Sequence, residues 1–225
     1  MTARSVLHYT LGAIALVAAA TAFPAASHAI TFDLTSNHCT DAAGCGAPGT
    51  IFGTVTLTQI GPADGTGSVD VTVHLNSPYA FAKTGSADFQ AFKFNATGVV
   101  LGDITVNQTV PGQTLAAQTG AFNGDGTGPF SFGIACTTCG NGLSDAFTND
   151  IVFHVANATV ADLTAPNAPP PNGNVFVADI GNLTTGNTGP VAAVPGPVLG
   201  TGLPGLVMAC GGLIALARRR RQKIV

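Results

Sequence analysis

Residues 54–75 read TVTLTQIGPADGTGSVDVTVHL. On either side of the centre of this stretch, apolar residues recur at every second position. Val55 and Leu57 stand between Thr54, Thr56 and Thr58, and Val69, Val71, Val73 and Leu75 stand between Asp70, Thr72 and His74. A period of two sends alternate side chains to opposite faces, so each half reads as a strand with one face on a core and one in water. The segment between them, Pro62-Ala63-Asp64-Gly65-Thr66-Gly67, carries turn chemistry, and its Asp-Gly step supplies the positive φ angles of a hairpin loop. The stretch is therefore an antiparallel β-hairpin.

The same alternation occurs at Ile30, Phe32 and Leu34, and apolar runs follow at 89–94, 99–106, 130–135, 151–160 and 174–180. Eight or so short strands with Gly-rich connections and no amphipathic helix predict an all-β fold, an antiparallel β-sandwich of which a jelly roll is one form. The strand order is not legible. With no Trp in the chain, the core must rest on Phe32, Phe52, Phe81, Phe89, Phe92, Phe94, Phe122, Phe130, Phe132, Phe147, Phe153 and Phe176. Each contributes about 1.5–3 kcal/mol if buried.

Only 8% of the residues are charged, against about 25% in an ordinary soluble domain, and the charges are sorted along the chain. Every Arg is Arg4 or lies at 218–221, while 30–190 holds all eleven Asp and, as bases, only Lys83 and Lys93. Eleven carboxylates against two ammonium groups leave that region near −9. Such a surface is repelled by phosphate backbones, which argues against a nucleic-acid partner; divalent cations or neutral sugars fit better.

The ends are of another kind. Arg4, an apolar run over 11–20 and Ser27-His28-Ala29 make the three parts of a secretory signal, with the mature chain expected from Ile30. Near the other end stand Val194-Pro195-Gly196-Pro197, an uncharged stretch over 198–217, and Arg218-Arg219-Arg220-Arg221-Gln222-Lys223. Twenty helical residues span about 30 Å, the thickness of a bilayer's hydrocarbon core, and the basic cluster would remain cytoplasmic. The expected division is a signal peptide over 1–29, a sandwich domain over 30–180, a flexible linker over 181–193 and a membrane tail over 194–225, with 165–173 a stiff surface loop.

This tripartite tail resembles the PEP-CTERM sorting signal, in a Gly-Pro variant in which Gly196 stands where the usual motif has Glu. Tails of this kind also go under the name ice-binding protein C-terminal domain. The resemblance covers about thirty residues. It implies recognition and cleavage by exosortase after use of the secretion machinery, a transient stay in the inner membrane, and an association with the envelope and exopolysaccharide.

Four cysteines remain in the mature region, Cys39, Cys45, Cys136 and Cys139. In an oxidising compartment an even set reads as two disulfides, with the local pairs Cys39–Cys45 and Cys136–Cys139 expected among three connectivities. A zinc site, with His38 as the other nearby ligand type, and a thioredoxin-like role for Cys136-Thr137-Thr138-Cys139 are the rival readings. Asn123, Asp125 and Thr127 occupy the alternate positions of a calcium loop with Gly128 at the sixth, so they are candidate calcium ligands, with Asp145 or Asp150 in support. However, the twelfth position is Ile134 and the chain has no Glu, which favours a plain turn.

Thr54, Thr56 and Thr58 would present a row of hydroxyls of the kind a sugar-contacting or ice-binding surface uses, although Thr is also simply a good strand residue. No Gly-x-Ser-x-Gly and no phosphate-cradling Gly-Lys-Ser/Thr occurs, and His74 and His154 sit on the polar faces of their strands. The expected function is therefore that of an exported envelope or extracellular matrix protein that is not an enzyme. The alternatives are a carbohydrate- or calcium-binding module associated with exopolysaccharide, and a hydrolase assembled from distant loops.

Overall fold

The structure, a computed structural model, describes residues 29–39, 44–84, 89–168 and 173–193. The expected signal segment, the Pro-rich part of the 165–173 loop, the sorting motif Val194–Pro197, the transmembrane stretch and Arg218–Arg221 lie outside the described residues. Among the described residues no helix is long and apolar enough to cross a membrane.

The chain forms antiparallel sheets. In order, the strands are β1 (Ala29–Leu34), β2 (Ser36–Asn37), β3 (Gly53–Ile60), β4 (Ser68–Leu75), β5 (Tyr79–Lys83), β6 (Gln90–Phe94), β7 (Ile104–Asn107), β8 (Leu115–Phe122), β9 (Phe130–Cys136), β10 (Gly142–Phe147), β11 (Ile151–Ala156), β12 (Phe176–Asn182) and β13 (Thr188–Ala193). A 3-10 turn at Leu101–Asp103 and one α-turn, α1 (Val160–Leu163), are the helical pieces among the described residues. The five-stranded sheet runs β1-β3-β4-β11-β7; the eight-stranded sheet follows β10-β5-β12-β6-β9-β8, with β13 on the other edge of β12 and β2 on β13.

The predicted hairpin pairs through its whole length, from Gly53 opposite Leu75 to Ile60 opposite Ser68. In its loop Gly65 takes φ of +85°, and the Asp64 carboxylate accepts hydrogen bonds from the Thr66 hydroxyl (2.7 Å) and backbone N–H (2.9 Å). Those bonds, the hydroxyl's first, hold the Asp64 carboxyl below its usual range.

The inner faces of the two sheets meet in one core. Its centre is a column of rings: Phe153 of the five-stranded sheet lies 5.1 Å from Phe94 and 6.0 Å from Phe92 of the other sheet, and Phe32 stands edge-on to Phe176 at 5.3 Å. Most of the phenylalanines expected in the core are there. Phe89 is the exception, exposed beside Lys83, whose ammonium stands 4.8 Å over its ring.

Three expectations need correction. The stretch 181–193 is no linker: β12 continues to Asn182, the Asn182 carboxamide oxygen caps the turn by accepting from Thr184 N–H (2.8 Å) and Thr185 N–H (3.1 Å), and β13 returns antiparallel from Thr188 to Ala193. Val191, Ala192 and Ala193 are wholly buried. The runs at 99–106 and 151–160 are strands only in part: the first opens on the 3-10 turn before β7, and in the second β11 ends at Ala156, ahead of α1, which begins at Val160. The order also departs from a jelly roll, because β3–β4, β8–β9 and β12–β13 are each neighbours within one sheet.

Candidate functional site

The five-stranded sheet buries one face and leaves the other open. Val55, Leu57, Val69, Val71, Val73, Ile151, Phe153 and Val155 point inward, so their neighbours along each strand point out. The registers align these outward residues into rows across the strands. One row is Thr31, Thr56, Thr72, Val152 and Asn107; the next is Ala29, Thr58, Asp70, His154 and Thr105; a third begins Asp33, Thr54, His74. The threonine column seen in the sequence along β3 is thus one line of a two-dimensional array, with neighbours about 4.8 Å apart across strands and about 6.7 Å apart along them. Thr31 and Thr56 touch through their hydroxyls at 3.1 Å.

Two His–Asp pairs flank the central row. His74 Nδ1 lies 2.8 Å from Asp150 Oδ1, and His154 Nδ1 lies 2.7 Å from Asp70 Oδ1. A carboxylate only accepts, so each Nδ1 donates to its Asp partner. All four side chains are substantially exposed, between 39% and 52%. The array offers hydroxyl donors and acceptors, imidazoles and carboxylates on an open surface.

Among the described residues no Lys or Arg interrupts it. Lys93 is buried in the other sheet, and Lys83 is held there too, near Phe89 and the Cys139 carbonyl (3.4 Å).

The cysteines form the two local disulfides, Cys39–Cys45 and Cys136–Cys139. Zinc is thereby denied its thiolates. His38, the nearby ligand type, pairs with the Ser36 hydroxyl (2.8 Å), and burial holds its pKa below the usual value. Cys136 ends β9 and is followed by a bend and then β10, without the helix a thioredoxin-like motif requires.

The 123–128 segment is a closed turn: Thr127 donates its hydroxyl to the Gly124 carbonyl (2.6 Å) and Gly128 N–H bonds the Asn123 carbonyl (2.5 Å). Of the supporting acids, Asp150 is engaged by His74, and Asp145 accepts from Gly140 N–H (3.3 Å). Among the described residues no group of three or more His, Cys, Asp or Glu side chains converges.

No protein-family model, curated protein or solved structure matches the chain. Its surface chemistry has to be read from its own residues.

One feature was invisible in the sequence. Lys93 of β6 and Asp179 of β12 meet at 3.0 Å with side chains 0% and 1% exposed. Both point away from the main core, toward the satellite cluster of Phe130, Val177 and Ala192 that the β8–β9 hairpin closes over with Phe122. Burial pushes the Asp179 carboxyl up to about 6, with the Lys93 charge working in the opposite direction. A lysine flanked by Phe92 and Phe94 was the available hint, since its neighbours show the strand to be buried on one face; nothing in the sequence shows that the second face is buried as well.

Proposed function

We propose that this chain is an exported, non-enzymatic protein of the cell envelope or extracellular matrix, and that it works by binding a neutral, hydroxyl-rich polymer, an exopolysaccharide, on the open face of the five-stranded sheet. The observation that carries the reading is the register that turns Thr31, Thr54, Thr56, Thr58 and Thr72 into a regular array beside two His–Asp pairs. Hydroxyls at strand spacing pair with sugar hydroxyls as donors and acceptors alike, and carboxylates take two donors each. The absence of Lys and Arg from that face among the described residues disfavours an anionic polymer, which would meet Asp33, Asp70 and Asp150 unneutralised. Two disulfides support an oxidising compartment.

The test is a glycan array probed with wild type and with Thr56→Arg. Position 56 is central and faces outward, so the variant should lose at least about tenfold in affinity, about 1.4 kcal/mol, while stability moves by no more than about 0.5 kcal/mol. A wild type that binds no neutral glycan, or a variant that binds as well as wild type, would remove this reading.

The manner of export rests on the resemblance of 194–225 to an exosortase signal. Mass spectrometry of the mature protein should find a C-terminus upstream of Arg218 in normal cells and an intact Arg218–Arg221 end in cells lacking exosortase. The same end in both would sever the chain from that sorting route.

A further inference from the structure

Lys93 and Asp179 are a poor ion pair. Removing a carboxylate and an ammonium from water costs several kcal/mol each, and the attraction repays this only where geometry is good and the remaining lone pairs are satisfied. Here Nζ donates to the Gln90 carbonyl at 2.9 Å. Although Nζ is 3.0 Å from Asp179 Oδ2, neither oxygen of that carboxylate receives a hydrogen bond of acceptable geometry, and the buried hydroxyl of Thr84 is also unpaired.

The backbone explains the arrangement. β12 pairs with β6 through Phe176–Ala178 and with β5 through Ile180–Asn182, so residue 179 faces the break where β5 and β6 part. Lys93 stands opposite Val177, diagonal to Asp179 on the same face. The turn above is tight: a Cβ on Gly124, itself at φ of +55°, would come within 3.4 Å of Lys93 Cδ.

What such a site does well is hold an amine against a carboxyl group away from bulk water, here with Nζ 3.0 Å from Oδ2. Reacting atoms held about 3–3.5 Å apart gain effective molarities of about 10⁵ M or more, and Nζ needs only a small shift past Oδ2 to approach Cγ. We propose that Lys93 and Asp179 condense into an intramolecular amide, Nζ to Cγ, that staples β6 to β12.

The balance is complete without a co-reactant. A proton passes from the Lys93 ammonium to the Asp179 carboxylate, a transfer that cancels both charges in a site of low polarity. The Nζ lone pair adds to Cγ, the Cγ–OH bond breaks, and the hydroxyl departs as water with one of the two amine protons. The product keeps one N–H for the Gln90 carbonyl and one oxygen as an acceptor beside the unpaired Thr84 hydroxyl. No charge remains buried.

The experiment is mass spectrometry on the purified full chain, denatured and with its disulfides reduced, followed by digestion. The expected mass is one water below that of the sequence between the observed termini. Trypsin should no longer cut after Lys93, and a second protease should release a branched peptide joining Lys93 to Asp179. Asp179→Ala should regain trypsin cleavage after Lys93 and the full mass expected of its own sequence, a readout that does not require the variant to fold. A wild type at full mass, or a water loss located at any other residue, overturns the cross-link. These outcomes are independent of whether the threonine face binds a glycan.

Discussion

Val191→Asp is expected to destabilise the domain by about 4 kcal/mol or more, enough to leave many small domains unfolded. Val191 is wholly buried in β13, on the side of the sheet that faces the main core, and is flanked in register by Ala178 of β12 and Asn37 of β2. A carboxylate there has no cation to meet among the described residues, so it either remains charged without water or takes up a proton at the expense of folding. The control is Thr184→Asp, seven residues earlier, on the exposed turn before β13. That substitution should stay within about 0.5 kcal/mol. Urea denaturation of the two variants separates a strand from a tether, because a flexible linker over 181–193 would tolerate both equally. Equal midpoints would contradict the β12–β13 hairpin.

The same segment indicates what the sequence could and could not reveal. Alternation identified β3 and β4 because one of their faces meets water, so polar residues mark every second position. β13 reads Thr-Gly-Pro-Val-Ala-Ala and β5 reads Tyr-Ala-Phe-Ala-Lys. Both are buried on both faces, so the selection for outward polarity that writes a period of two is missing. Gly189 and Pro190 then look like linker residues, although Pro190 accepts a hydrogen bond from His38 N–H at 3.0 Å and stands opposite Asp179 within the sheet. β8 and β10, rich in Ala, Gly, Ser and Thr, were missed for want of apolar residues.

The candidate site was half legible for the same reason. The Thr54, Thr56 and Thr58 column is a local pattern, visible along one strand. Its extension to Thr31 and Thr72, and the two His–Asp pairs, depend on which strands are neighbours, with partners as far apart as Asp70 and His154. Pairing of that range is decided by the global packing of the sheets and leaves no trace in spacing. The local disulfides were readable because each closes a loop of only a few residues.

Phe153→Ala should cost about 3–5 kcal/mol, and Phe153→Leu no more than about half of that. Phe153 is 1% exposed at the centre of β11 and is the ring through which the five-stranded sheet reaches Phe92 and Phe94 of the other sheet. Truncation to Ala removes the transfer free energy of a benzyl group and leaves a cavity whose walls are strands hydrogen-bonded on both edges, so collapse is limited. Leu refills most of that volume but loses the ring contacts. The double variant with Phe94→Ala should fall short of the sum of the single effects, because the rings face one another and the second truncation enlarges an existing cavity. A strictly additive result would mean that the two sheets do not share this contact. The next residue, His154, points the other way and pairs with Asp70 on the open face, so β11 joins the aromatic column to the threonine array. If the open face binds a glycan as proposed, loss of affinity in Phe153→Ala under conditions where the protein remains folded would tie the core to that face, and unchanged affinity would show that the hydrogen-bonded registers of β3, β4 and β11 hold the array by themselves.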